Sequence, residues 1–204
     1  MNHTEIANEL CNIAHLFGER RWCLATSGNF SARTASDEFL ITQSGKEKSH
    51  LSIDDLMLCA SSGEPIETDK TPSAETQLHA LIYRLDGSVA AVLHTHSMAS
   101  TVLSRAASAA LDVCGYEMQK AFDGVTTHDT TLSIPVFDND QDMAALATLI
   151  EEAWHQERFK VSAFLIRGHG LYAWGADIAA ARRHVEGCEF LFECLMHESA
   201  AKRQ

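Results

Sequence analysis

Residues 88–97 read Ser-Val-Ala-Ala-Val-Leu-His-Thr-His-Ser, an apolar run that ends in two histidines one residue apart. The run Val89–Leu93 predicts a buried strand that ends at His94. Residues i and i+2 of a strand point to the same face, so the imidazoles of His94 and His96 lie side by side at a strand end, where ligand crevices form. Neutral imidazole is the commonest metal ligand. Taken alone, such a pair is more often two buried histidines with hydrogen-bond partners.

A second buried strand, predicted over Val161–Ile166, is followed by Arg-Gly-His-Gly at 167–170. The flanking glycines allow the backbone to approach a ligand closely and to adopt a positive φ. An exposed histidine in a glycine turn is the alternative for this motif by itself. A catalytic zinc site takes three protein ligands and leaves one position open. The two strand ends together therefore predict a metal centre built from His94, His96 and His169.

The remaining periodicity predicts helices that alternate irregularly with short strands. The predicted helices cover Thr4–Gly18, Ser73–Leu85 with Ser73 as its cap, Ser97–Ala107, Asp140–Trp154 and Ala176–Ala201. The further strands cover Phe30–Arg33 and Phe39–Thr42 around a turn at Ser36-Asp37, then Leu56–Ala60, Ile134–Phe137 and Leu171–Trp174. Because this order lacks a regular βαβ rhythm, it favours an α/β fold with a mixed sheet. The length predicts one domain over residues 1–204.

Composition excludes several classes of protein. With 16 Lys+Arg against 28 Asp+Glu, the net charge of −12 argues against a nucleic-acid partner. No stretch approaches the roughly 20 uninterrupted apolar residues of a membrane span, so no membrane association is expected. The six cysteines form no CxxC pair, and the N-terminal residues lack the pattern of a signal peptide. These features predict a cytoplasmic protein with reduced thiols.

Three segments rich in glycine and hydroxyl groups could together hold a phosphate. They are Ser27-Gly28-Asn29, Thr42-Gln43-Ser44-Gly45-Lys46 and Pro72-Ser73-Ala74-Glu75. Each offers backbone N–H groups, and a helix N-terminus such as the one predicted at Ser73 favours an anion. Singly, each segment is also typical of a turn or a helix cap. The glycine motifs of nucleotide-binding loops are absent from the sequence.

Two glutamates are candidate acid–base groups. Glu75 lies in the first turn of a predicted helix, where its charge could also simply complement the helix dipole. Glu117 lies within the mostly apolar stretch Val113–Met118. Desolvation there would raise its pKa and suit it to general acid–base catalysis near neutral pH. A solvated loop glutamate is the alternative.

The ordered motifs resemble the class II aldolase/adducin family from about Thr4 to Glu193. They are Ser27-Gly28-Asn29, Ser44-Gly45, Pro72-Ser73-x-Glu75, His79, His94-Thr95-His96-Ser97 and Gly168-His169-Gly170. The resemblance implies a three-layer α/β/α fold around a largely antiparallel sheet, and a homotetramer with zinc at the subunit interfaces. It implies one Zn²⁺ per subunit on His94, His96 and His169. It also implies that the substrate phosphate is held by Ser27, Gly28, Asn29, Thr42, Ser44, Gly45 and Ser73.

Within that family, three further segments favour dehydration over aldol cleavage. They are Tyr116–Lys120, Gly170–Gly175 and Glu186–Glu193. The implied reaction is zinc-dependent dehydration of 5-methylthioribulose 1-phosphate in methionine salvage, with Glu117 as the acid–base residue. An aldolase or epimerase for another ketose phosphate is the alternative, and aldolases of the family use a carboxylate at the position of Glu75. Family aldolases usually carry two adjacent serines before that carboxylate, whereas Ala74 here lacks one phosphate-binding hydroxyl. An adducin-like binding module without catalysis is a third possibility, which the presence of all three histidines disfavours.

Overall fold

Eight strands form one sheet in the computed structural model, which describes residues 2–35, 37–67 and 69–202. The strands are β1 (Asn29–Ala35), β2 (Glu38–Thr42), β3 (Leu56–Ala60), β4 (Ala91–Thr95), β5 (Ala110–Val113), β6 (Leu132–Phe137), β7 (Ala163–Ile166) and β8 (Gly170–Gly175). Their order across the sheet is β3-β2-β1-β4-β8-β7-β6-β5. The β6–β7 pair is parallel and the other neighbours are antiparallel. The predicted mixed, largely antiparallel sheet is confirmed.

Helices cover both faces of this sheet. They are α1 (His3–Glu19), α2 (Thr76–Leu85), α3 (Met98–Ala106), α4 (Met143–His155) and α5 (Ile178–Ala201). On one face α1 packs on β1 while α5 packs on β4, β8 and α3; on the other face α2 packs against α4. Each face has its own apolar core. The predicted three-layer α/β/α architecture is therefore confirmed.

Strand β4 runs through the middle of the sheet and is buried along its whole length. Leu93 belongs to the core beneath α1 and α5, whereas Val92 belongs to the core beneath α2 and α4. A strand covered on both faces needs apolar side chains in both directions, which explains the continuous apolar run before His94. This burial fixes the strand end on which the two histidines lie.

Several predicted boundaries differ from the structure. Strand β4 begins two residues later than predicted and continues through His94 to Thr95. The prediction that Ser73 caps α2 is wrong, because the helix begins at Thr76 with Glu75 at the cap position. Ser73 instead closes a turn before the helix, where its hydroxyl accepts the N–H of Glu75 at 3.3 Å. Ser36 of the predicted turn lies outside the described residues.

Strand β5 and the start of helix α4 also differ from the prediction. Strand β5 was not predicted, because its four residues are mostly half-exposed at the sheet edge and give little periodic signal. Helix α4 begins at Met143 rather than at Asp140, since the carboxylate of Asp142 accepts the N–H groups of Ala144 and Ala145. Within the described part of the chain, no helix has both the length and the apolar character needed to cross a membrane.

Candidate active site

Three imidazole rings converge at the end of β4. The Nε2 atom of His96 lies 2.7 Å from that of His94 and 3.1 Å from that of His169. The Nε2 atoms of His94 and His169 are 3.3 Å apart. The structure therefore brings together the three histidines that were predicted from two separate strand ends.

Close backbone packing positions His169 beside His94 and His96. Gly170 pairs with Ile166 in the tight connection between β7 and β8, and a Cβ added to Gly170 would lie 2.0 Å from the carbonyl oxygen of Thr95. Gly168 has a φ of +67°, a conformation that favours glycine. Helix α3 holds the same turn, because the Thr101 hydroxyl donates to the His169 carbonyl at 3.1 Å. Both glycines are thus required where the sequence pattern placed them.

The protonation state of His94 follows from its surroundings. Its Nδ1 lies 2.9 Å from the carbonyl oxygen of Leu171, which can only accept a hydrogen bond. Nδ1 therefore carries the hydrogen, and Nε2 presents a lone pair to the cluster. Burial lowers the pKa of His94 well below its ordinary value and lowers the pKa of His96 to about 3. Neutral imidazoles are the form that binds metal.

A carboxylate completes the cluster. Glu75 Oε1 lies 3.2 Å from Nε2 of His169 and 3.5 Å from Nε2 of His94. This oxygen is buried and has no hydrogen-bond partner. The ligand atoms of Glu75, His94, His96 and His169 all lie within 4.8 Å of one another. Three imidazole nitrogens and a carboxylate oxygen that converge at these distances form a donor set that fits a divalent metal ion.

The three segments proposed to hold phosphate meet beside this cluster. Gln43 pairs with Pro72, and the N–H of Ser44 donates to the carbonyl of Thr71 at 3.0 Å. Gly28 has a φ of +77°, and a Cβ at this position would lie 2.7 Å from the carbonyl oxygen of His94. The Ser73 hydroxyl lies 3.5 Å from the Asn29 amide nitrogen. The fold thus joins these segments to the histidine cluster.

Individual groups in the three segments differ in how free they are to bind a ligand. The Ser27 hydroxyl is buried with no hydrogen-bond partner, and the space around Gly45 is open. The Thr42 hydroxyl is fully buried and accepts the N–H of Phe30 at 3.2 Å. The Asn29 amide nitrogen donates to Glu75 Oε2 at 2.7 Å. Thr42 and the Asn29 side chain are therefore committed to the protein, whereas the Ser27 hydroxyl and the open backbone at Gly45 are available.

Lys48 is a residue that sequence reasoning missed. Its side chain is 1% exposed, and its ammonium donates to the carbonyls of Thr26 at 3.0 Å and Lys46 at 2.7 Å. It therefore ties two of the phosphate segments together from behind and places a positive charge beneath them. Burial lowers its pKa. A lysine in a polar stretch ordinarily lies on the surface, so the sequence carries no signal of this role.

Glu117 does not lie in the cluster, and the prediction of a raised pKa is wrong. Its side chain is 71% exposed at the start of a 3-10 helix, Glu117–Ala121. The Lys120 ammonium, 2.6 Å from Glu117, lowers the pKa of this carboxyl, and His128 contributes to the same effect. Neighbours that are apolar in sequence do not desolvate Glu117, because the chain turns it toward solvent. The solvated alternative is the one observed.

Two further buried groups support the cluster from beneath. The ring of Tyr172 stacks on that of His94 at 4.0 Å between centroids, and burial together with the charge of Glu75 raises the pKa of its hydroxyl well above the ordinary value. Glu189 accepts the hydroxyl of Thr95 at 2.9 Å, and burial raises its pKa to about 7. Both residues lie in segments that carry the family resemblance, and the sequence pattern alone gives no signal of their role.

A cavity of about 450 Å³ opens beside the histidines. Its lining includes Leu24, Ser27, His96, Thr101, Gly168 and His169. Small-molecule sites commonly range from about 300 to 1,000 Å³. The cavity therefore has room for a small phosphorylated sugar next to the proposed metal ligands.

The sequence of the chain matches a known protein family. The family model described as "Class II Aldolase and Adducin N-terminal domain" matches residues 8–196. The chain belongs to the class II aldolase and adducin family. The family predicted from the motifs is therefore confirmed.

Two relatives with about half of their residues identical to this chain share one name. Methylthioribulose-1-phosphate dehydratase of Serratia proteamaculans is 48% identical over 196 residues, which cover 95% of each chain. The protein of that name from Yersinia pestis strain Pestoides F is 50% identical over 181 residues, covering 88% of this chain and 81% of the relative. Among solved structures, L-fuculose-1-phosphate aldolase from Thermus thermophilus superposes with a TM-score of 0.79 at 24% identity, covering 98% of both chains. That likeness shows the shared fold.

Proposed function

We propose that this chain is a hydro-lyase that dehydrates 5-methylthioribulose 1-phosphate to 5-methylthio-2,3-diketopentyl 1-phosphate in methionine salvage. The observation that carries the proposal is the near full-length identity of 48% to a relative of that name, in a chain that keeps a complete cluster of His94, His96, His169 and Glu75. In the reaction a proton leaves C3, the C4–O bond breaks, and water departs. The resulting enol then tautomerises to the diketone.

Zinc is the metal that we assign to this cluster, at one ion per subunit. His94, His96 and His169 supply the three protein ligands of a catalytic zinc site, and Glu75 lies beside the position that they leave open. When bound, zinc would act as a Lewis acid on the ketose carbonyl and favour loss of the neighbouring proton. The hydrogen bond from His94 to the Leu171 carbonyl orients that ring for the role.

The phosphate is held, in this proposal, by groups that remain free of internal partners. The Ser27 hydroxyl and the backbone N–H groups of Gly28 and Gly45 donate to it. Lys48 does not contact the ligand, but it adds a positive charge behind the two loops. Its charge-assisted hydrogen bonds to their carbonyls are strong and hold the loops together. Ser73, whose oxygen accepts the Glu75 N–H, contributes only the hydrogen of its hydroxyl. Ala74 leaves the phosphate site one hydroxyl short of the usual aldolase pattern.

Proton transfer is divided between two glutamates. Glu75 lies in the cluster and is placed to move a proton at the reacting carbons. Glu117 lies away from the cluster of its own chain, so we propose that it reaches the site of a neighbouring subunit and protonates the departing hydroxyl. This assignment requires an oligomer, and we propose the homotetramer that the family resemblance implies.

Exposed apolar side chains near the site support such an assembly. Met98 is 74% exposed, Leu24 50%, Val102 47%, Phe190 47% and Met118 38%. Leu24, Met98 and Val102 line a second cavity that also includes His96, and Met118 directly follows Glu117. Clustered exposed apolar groups mark interaction surfaces. The six cysteines are free thiols, which fits a reducing compartment such as the cytoplasm.

The test is incubation of the purified zinc-loaded protein with 5-methylthioribulose 1-phosphate, with the diketone followed by absorbance and mass spectrometry. Loss of one water per substrate is expected. An aldolase or epimerase is the second candidate, because Glu75 lies in the cluster where aldolases of the family use a carboxylate. Cleavage of fuculose or rhamnulose 1-phosphate without dehydration of the thioether substrate would favour that candidate. A protein without bound metal and without either activity would indicate a binding module.

A further inference from the structure

A chain of buried hydrogen bonds runs from the core to Glu75. The Tyr83 hydroxyl lies 2.8 Å from Ser31 Oγ, which lies 2.7 Å from His79 Nδ1. His79 Nε2 lies 2.5 Å from Asn29 Oδ1, and Asn29 Nδ2 lies 2.7 Å from Glu75 Oε2. Ser31 and His79 are fully buried, while Tyr83 and Asn29 are 3% and 4% exposed. The chain links β1 and α2 behind the metal cluster.

The chemistry of each group determines which atom donates the hydrogen in every bond of this hydrogen-bond chain. A carboxylate only accepts, so the Asn29 amide must turn its NH₂ toward Glu75 and its oxygen toward His79. That oxygen also only accepts, so His79 Nε2 must carry a hydrogen. Burial lowers the pKa of His79 to about 3, which keeps the ring neutral and leaves Nδ1 as an acceptor.

The remaining two links follow from this tautomer. Ser31 must donate its hydrogen to Nδ1 of His79, and its oxygen then accepts the hydroxyl hydrogen of Tyr83. Every donor in the chain meets an acceptor, and aligned hydrogen bonds of this kind polarise one another. The chain does not carry protons, because the Asn29 amide neither gains nor loses one near neutral pH. Its action is to orient.

We propose that His79 is a positioning residue that acts through Asn29 to hold Glu75 Oε2, so that Oε1 faces the three histidines. The proposal rests on the proposed function, since the direction of Glu75 matters where the histidine cluster is the reaction centre. Without the His79 donor, the Asn29 amide loses the contact that fixes its orientation. A flipped amide would place its oxygen against the carboxylate and turn Glu75 away from the cluster.

The experiment compares His79→Leu and His79→Gln with a matched control, His184→Leu. Glutamine has an NH₂ that can donate to Asn29, whereas leucine has no donor. His184 is equally buried, but it forms a hydrogen bond with the Trp174 carbonyl and takes no part in the hydrogen-bond chain that ends at Glu75. Binding of Zn²⁺ alone to metal-free protein is measured by calorimetry, and kcat and KM are measured on the zinc-saturated enzyme.

His79→Leu is expected to weaken Zn²⁺ binding and to lower kcat, each by about 10- to 100-fold, the usual effect of losing a group that orients a metal ligand. KM should change little, and His79→Gln should restore most of both losses. The control should bind Zn²⁺ like the wild type. If His79→Leu does not fold, Ser31→Ala replaces it, because it keeps the imidazole but removes the donor to Nδ1.

Two results would overturn the proposal. One is wild-type Zn²⁺ affinity and kcat in a folded His79→Leu protein, or in Ser31→Ala where that variant replaces it. The other is a folded His79→Gln protein as impaired as His79→Leu, which would indicate that the imidazole matters for packing alone. A wild-type protein that binds Zn²⁺ but does not dehydrate the substrate contradicts the proposed function. In that case the Zn²⁺ titrations still test the role of His79.

Discussion

Asn29 on β1 and His94 on β4 are directly opposite each other in the antiparallel register of the two strands. Asn29 ends the first phosphate segment, and His94 belongs to the histidine cluster. Because one strand pair fixes both, the histidine cluster and the segments proposed to hold phosphate keep a constant separation. A ketose phosphate held at its phosphate end would therefore meet the cluster at a defined carbon, which is how positioning accelerates a reaction.

His96→Ala should remove metal and activity together. His96 Nε2 is the atom nearest both other imidazoles, and its loss leaves two histidines and one carboxylate. We expect zinc content to fall well below one ion per subunit while the thermal unfolding of metal-free protein stays near that of the wild type. Zinc is measured by plasma mass spectrometry after dialysis. His155→Ala, an exposed histidine at the end of α4, is the control. Full activity in metal-depleted His96→Ala would contradict the assignment.

Lys48→Met should raise KM for the phosphorylated substrate more than it lowers kcat. The change keeps the buried volume but removes the charge and the two hydrogen bonds that join the phosphate loops. The two loop carbonyls lose a charged donor, which costs about 1.5–3 kcal/mol in the free energy that holds the loops in place. Because the loops must be ordered to bind the phosphate, KM should rise about tenfold or more. Steady-state kinetics measures the effect. Lys160→Met is the control, because Lys160 is an exposed lysine in the segment between α4 and β7. An unchanged KM would show that the charge beneath the loops plays no part in binding.

Glu189→Gln should alter how stability depends on pH. The pKa of Glu189 is raised from an ordinary 4.5 to about 7, chiefly by burial. The folded state therefore holds a proton that the unfolded state has released, and the wild type loses stability as the pH rises from about 4.5 to about 7. Glutamine mimics the protonated acid and is free of this loss.

The stability of Glu189→Gln relative to the wild type should therefore increase between pH 5 and pH 8, on the order of 2–3 kcal/mol. Urea unfolding of the metal-free proteins at several pH values measures this difference. The buried histidines titrate in both proteins, so their contribution cancels. A difference that stays constant with pH would mean that Glu189 is ionised in the folded protein throughout this range.

The histidine cluster could be predicted from the sequence because its signals are local. Apolar runs in the sequence predict buried strands, and the residues that follow such strands lie at the same edge of the sheet. The glycines around His169 signal a close backbone approach in the same way. The order of the motifs along the sequence then indicates the family, and the family resemblance implies the three layers of the fold.

The surroundings of the cluster depend instead on contacts between distant parts of the chain. The burial of Lys48 depends on the carbonyls of Thr26 and Lys46 closing around it, and no pattern near residue 48 records this. The exposure of Glu117 depends on where a short 3-10 helix leaves the core. The tautomer of His79 depends on Asn29, fifty residues earlier in the sequence. Such properties come from tertiary packing, which periodicity does not encode.

Glu117→Gln and His96→Ala should complement each other if Glu117 acts in the site of a neighbouring subunit. Each variant alone should be impaired, with Glu117→Gln losing about 10²–10⁴-fold in kcat, the usual contribution of a positioned acid or base. Glu75→Gln is expected to be milder on dehydration in single-turnover experiments. Co-expression of Glu117→Gln with His96→Ala would give mixed oligomers in which some sites join an intact cluster from one chain to an intact Glu117 from the other. Activity per subunit should therefore exceed that of either parent.

The control for this complementation mixes His96→Ala with Glu75→Gln. Glu75 and His96 belong to the same cluster of one chain, so no site in that mixture regains both groups, and activity should not rise above the average of the two parents. Mass spectrometry of the intact assemblies verifies that mixed oligomers have formed. If they have formed and the mixture of Glu117→Gln with His96→Ala shows no gain, Glu117 does not serve a neighbouring subunit. A nearly normal Glu117→Gln beside an inactive Glu75→Gln would assign the acid–base role to Glu75 alone.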